Sequence, residues 1–166
     1  MRNAFEAVSL LLFFCLVGWV LPVHAYKEVN VSNGGTIEGK VTFTGRVKKR
    51  TIIPTKDKSV CGGMRKVPLI IVGPDKGVKD SIVYLRKVKK GKTWPKQETI
   101  PVLNQKGCRF APNVQVIRKG KLAIVNSDPV LHNTHGYLCK KLGKSCKRTA
   151  FNLALPKQNQ RVEKNM

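Results

Sequence analysis

Two imidazoles and two thiols fall close together near the end of this chain: His132, His135, Cys139 and Cys146. With one cysteine as thiolate they would supply three ligands of the types that hold Zn or Cu. Met166 could add a soft fourth donor only by folding back. His132 and His135 stand three positions apart, so in an extended strand their rings point to opposite faces, and only a turned loop brings both to one ion. Oxidation of the two cysteines to a disulfide would remove the sulfur donor altogether, and that outcome is the one expected here.

The wider cysteine pattern depends on compartment. Residues 1–25 have the form of an export signal, with Arg2, an uncharged apolar run from Ala7 to Val23, and Val23-His24-Ala25 as a small-x-small cleavage site. The run is at the short end of the roughly 17 to 25 residues that span a bilayer, and Pro22 closes it. Cleavage before Tyr26 removes Cys15 and leaves Cys61, Cys108, Cys139 and Cys146. An oxidising periplasmic or extracellular space favours disulfides over free thiols. Of the three pairings, Cys61 with Cys108 and Cys139 with Cys146 is preferred: one ties distant segments, the other closes a short lysine-rich hairpin. Loop-closure entropy gives roughly 4 kcal/mol for the long link and about 2.5 kcal/mol for the short one.

Charge limits the partners. The chain has 32 Lys and Arg against nine Asp and Glu, a net charge of +23, and removal of Arg2 and Glu6 with the signal leaves that balance unchanged. Such an excess attracts acidic redox or envelope proteins, with anionic membrane as a further candidate. The cations are spread, with short clusters at Arg46–Arg50, Arg86–Lys92 and Lys140–Arg148. Nucleic acid is not expected, since no aromatic stacking motif accompanies the charge. An enzyme is not expected either: carboxylates are scarce and no G-x-S-x-G, H-E-x-x-H or phosphate-loop pattern occurs.

The elements that would position these groups read as all-β. After the signal no segment keeps a helical period, while short apolar or alternating runs stand between Gly, Pro, Asn and Asp. Thr36–Phe43 alternates, Leu69–Val72 is a buried-strand pattern closed by a turn over Gly73–Gly77, and Ile82–Val88 is another strand. Val114–Ile117 and Leu122–Val125 flank Arg118-Lys119-Gly120-Lys121 and predict a hairpin. Phe151–Leu155 is the last apolar run, and the polar segment 157–166 is expected to fray. About six or seven short strands at this spacing imply a β-sandwich of two antiparallel sheets over residues 26–156.

Several stretches carry a resemblance: Gly35-Thr36-Ile37-Glu38-Gly39-Lys40-Val41, Val60-Cys61-Gly62, Ile71-Val72-Gly73-Pro74-Asp75-Lys76-Gly77-Val78, Gln105-Lys106-Gly107-Cys108-Arg109-Phe110, Asn126-Ser127-Asp128-Pro129-Val130-Leu131-His132-Asn133 and Phe151-Asn152-Leu153-Ala154-Leu155-Pro156. Together they resemble exported cupredoxin-like proteins of the plastocyanin-like or methylamine-utilisation kind. The resemblance implies a Greek-key sandwich, copper as cofactor, electron transfer as function, and His132 as the upstream imidazole ligand. The downstream Cys, His and Met ligands of that family have no counterpart, because no histidine follows His135. A mononuclear blue-copper centre needs two imidazoles, a thiolate and usually an axial thioether, so the resemblance implies half a site and a sandwich incomplete at its C-terminus. The alternative is a basic periplasmic interaction module that binds acidic surfaces without metal.

Overall fold

A computed structural model of the chain describes residues 26–139 and 146–166. The proposed export signal, and the lysine-rich segment 140–145, lie outside the described residues. Among these residues no helix is long and apolar enough to cross a membrane. The chain is nearly all β: β1 Lys27–Glu28, β2 Lys49–Ile52, one helical turn α1 Lys58–Cys61, β3 Arg65–Pro68, β4 Lys90–Gly91, β5 Val102–Gln105, β6 Phe110–Ala111, β7 Lys121–Asn126, β8 His132–Leu138, β9 Arg148–Leu155 and β10 Gln160–Asn165.

Two compact units divide the chain. In the smaller, residues 26–35 and 85–94, β1 pairs in parallel with β4. The Tyr26 hydroxyl donates to the Lys92 carbonyl at 2.8 Å, and its ring lies 6.2 Å from that of Trp94.

The larger unit, Thr36–Tyr84 with Pro95–Met166, holds the sandwich. One sheet has the order β10-β7-β5-β6 and the other pairs β8 with β9. Strand β7 explains why they face each other: alternation sends Leu122, Ile124 and Asn126 to one side, where Leu122 and Ile124 meet Leu155 of β9 in the buried cluster. Leu103 of β5, Phe151 and Leu153 of β9, Val162 of β10 and Ile117 pack around it. Among the described residues the buried apolar set is small, Leu122, Ala123, Ile124 and Leu155, so the sandwich depends on cross-links and polar staples more than a larger core would.

Several expected elements differ. The segment 157–166 does not fray: it turns at Gln158-Asn159 and forms β10, pairing antiparallel with all six residues of β7. Val162 opposite Ile124 supplies the apolar anchor, which the single valine in a polar stretch did not advertise. The Val114–Ile117 hairpin arm is absent, because both edges of β7 are taken, by β10 on one side and by parallel β5 on the other. Thr36–Phe43 makes only an isolated bridge from Thr42 to Gly77, and Ile82–Val88 is not a strand. The Gly73–Gly77 turn is present, closed by the Val72 to Val78 bridge. Parallel β5–β7 pairing also differs from the purely antiparallel sheets expected.

Gly136 of β8 stands opposite Phe151 of β9, and the ring covers it so closely that an added Cβ would meet Phe151 at 2.5 Å. Gly136→Ala is therefore expected to cost about 1–2 kcal/mol by overpacking. Denaturant melts should show that loss shrinking when Phe151→Leu is added, and an equal loss in both backgrounds would contradict the contact.

Candidate functional site

His132 opens β8, on its inward face beside Leu155. Its surroundings begin with the hairpin between β5 and β6, where Lys106 and Arg109 exchange backbone hydrogen bonds at 2.9 and 3.3 Å. The two central residues are left-handed, Gly107 at φ 59° and Cys108 at φ 56°, as a tight two-residue hairpin turn demands. Glycine takes that conformation freely, whereas Cys108 does so at a cost of about 1 kcal/mol. This geometry aims two consecutive N–H groups the same way. Gly107 donates to Oδ1 of Asp128 and Cys108 to Oδ2, each at 2.8 Å.

Asp128 lies in the loop from β7 to β8 and is 5% exposed. Asn126 holds that loop: its Oδ1 accepts the Asp128 N–H at 2.9 Å, and its Nδ2 donates to the carbonyls of Val130 at 2.7 Å and Leu155 at 2.9 Å. His132 Nε2 then sits 2.7 Å from Asp128 Oδ2. Burial pushes the Asp128 carboxyl upward, but the Cys108 N–H, His132 and the Gly107 N–H together outweigh it, and its pKa falls below the usual value. An ionised carboxylate only accepts, so Nε2 carries the proton.

The Cys108 end is fixed a second way. Its sulfur is joined to Cys61, the last residue of α1, with the Cα atoms 5.1 Å apart. Cys139 is joined to Cys146, with Cα atoms 4.4 Å apart. Both preferred pairings are present. They withdraw all four sulfurs from thiolate chemistry.

The other candidate goes elsewhere. Because β8 is extended, His135 occupies the opposite face from His132. The Tyr137 hydroxyl oxygen lies 2.8 Å from its Nδ1, its Nε2 lies 2.9 Å from Thr149 Oγ1, and the Tyr137 ring stacks on it at 4.0 Å. The structure thus brings His132 to Asp128 and Cys108, whose potential ligand atoms lie within 4.8 Å of one another. It does not bring His132 to His135, nor either of them to a free thiol.

Asp128, Asn126 and the Gly107-Cys108 turn are the parts that His132 alone did not reveal. A signal was present in Asn126-Ser127-Asp128-Pro129, since Asn and Asp in such turns bond nearby backbone. Its long-range partner, the turn at Gly107, had no local trace.

No family model, no curated protein and no solved structure matches this chain. The site must therefore be judged on its own donors. A copper centre of the cupredoxin kind does not fit them. The Asp128–His132 bond does orient the ring as carboxylates behind metal-bound histidines orient them, but among the described residues no second imidazole and no thiolate stands beside His132, the neighbouring sulfur being in a disulfide. What the arrangement does chemically is latch the β7–β8 loop to the β5–β6 turn.

Proposed function

We propose that the chain is an exported, basic interaction module that docks on acidic protein surfaces and needs no metal to do so. The observation that carries this reading is the state of its cations. Of the Lys and Arg among the described residues, only Lys40, Lys121 and Arg161 form ion pairs with carboxylates, Lys40 with Asp75 and the other two with Glu163. The rest project an uncompensated positive field that steers acidic partners and orients them on approach. Two disulfides support export, being stable in oxidising compartments. The apolar segment at residues 7–23 supports it independently.

A second reading, a cupredoxin-like electron-transfer protein, is favoured by one observation: the Asp128 bond fixes the His132 tautomer and leaves Nδ1 without a hydrogen-bond partner among the described residues. The donor count weighs against it.

The docking reading predicts that labelled poly-L-aspartate binds the chain, that its affinity falls about ten-fold or more between 0.05 and 0.5 M salt, and that chelators change nothing. Fluorescence anisotropy would show this. Affinity that ignores salt, or that requires added copper, would contradict it.

A further inference from the structure

The β2–β3 ladder presents an unusual face. Register places Arg50 opposite Val67 and Ile52 opposite Arg65, so these four side chains share one side, with guanidinium and apolar groups on opposite diagonals. That side forms one wall of a cleft of about 810 Å³, completed by Leu69, Ile71 and Phe110 among others. The volume falls in the range of small-molecule sites.

Charge and polarity of the lining point the same way. Arg50, Arg65, Lys79 and Arg109 line the cleft, and among the described residues Asp80 is the one carboxylate there. Leu69, Ile71 and Phe110 remain about half exposed, at 58%, 45% and 47%, so apolar surface faces the cleft beside the cations. Arg65 is the most telling. Its Nη1 donates to the Cys61 carbonyl at 2.9 Å, which fixes the side chain. Its Nε is buried and has no hydrogen-bond partner among the described residues. A carboxylate is the natural partner for the open edge of a preset guanidinium.

We propose that this cleft binds an amphiphile with a single carboxylate head and an apolar body, of the long-chain carboxylate class. Arg65 and Arg50 receive the head, and the apolar residues between and beyond them, from Ile52 and Val67 to Phe110, cover the chain. The site goes beyond docking on acidic proteins and does not depend on it.

The test is calorimetric titration of the disulfide-intact protein with dodecanoate below its micellar concentration. Dodecanol and acetate serve as half-ligands that keep only the apolar body or only the anion. Dodecanoate should bind at one site per chain, and both half-ligands at least about ten-fold more weakly, the scale of one lost charge-assisted contact. Arg65→Gln and Arg50→Gln should each weaken dodecanoate about ten-fold. Arg50 is exposed, so its variant keeps the test valid if loss of the Cys61 contact unsettles the fold in the other. Unchanged affinity in the Arg50 variant, equal binding of dodecanol, or uptake of many dodecanoates per chain would overturn the proposal. Poly-L-aspartate binding that survives saturation with dodecanoate would separate the cleft from the docking surface.

Discussion

Replacing Cys61 and Cys108 together by serine is expected to remove about 4 kcal/mol of folding stability, the largest effect of any change considered. The bridge spans 47 residues, and loop-closure entropy over that length gives about 4 kcal/mol. Two local features add to its importance. Few residues are fully buried in the sandwich, so cross-linking replaces core that is not there. Cys108 also sits in a left-handed conformation, and releasing its sulfur removes one of the two ties that hold it so. Urea unfolding should show the double variant losing about 4 kcal/mol, a large part of the roughly 5–15 kcal/mol that a domain commonly has. The Cys139→Ser, Cys146→Ser pair should lose less, about 2.5 kcal/mol, because its loop has a sequence separation of only seven. Equal losses for the two pairs would contradict the assignment of the long bridge as the main staple.

The second large effect belongs to Asp128. Its carboxylate receives the N–H groups of Gly107 and Cys108 and the imidazole of His132. Asp128→Asn keeps the shape but offers one acceptor oxygen in place of two, and sets an NH₂ group against a donor. The expected cost at neutral pH is about 3 kcal/mol, the scale of orphaned donors beside a lost buried charge. Its pH dependence has a definite sign. The folded pKa of Asp128 is lowered from 3.8, so its contribution is complete above that value and is lost as pH falls through the lower, folded one. The gap between wild type and variant should therefore close as the pH falls below about 4. Unfolding free energies measured across that range would show it, and a gap that persists undiminished into strong acid would contradict the latch.

How much of this was legible in the sequence follows from the range of each interaction. Strand β7 and the core of β9 were visible because a continuous apolar run, Leu122–Val125, and an apolar run ended by proline, Phe151–Leu155, carry their burial locally. The turn at Gly73–Gly77 announced itself by Gly, Pro and Asp. The partner of β7 did not. Its edges are filled by β10, a polar segment with a single valine facing the core, and by β5 in parallel, and neither choice has a local cause. Exposed apolar runs such as Ile82–Val88 misled for the opposite reason: their residues look like strand, yet Val83 is 80% exposed, with no sheet partner among the described residues. At the site, His132 was identifiable by its loop and the opposed faces of His132 and His135 by strand parity. The role of His132 was not, since it is set by Asp128 and by a turn more than twenty residues upstream.

That role is the point on which the whole interpretation turns, and a copper titration of the disulfide-intact protein tests it most directly. Calorimetry with copper(II) on wild type and His132→Ala should give the same weak isotherm for both, with the variant showing a lowered melting temperature because Asp128 has lost one of its partners. A saturable site of one copper per chain in the wild type that disappears in His132→Ala would instead make His132 a metal ligand and return the electron-transfer reading to first place.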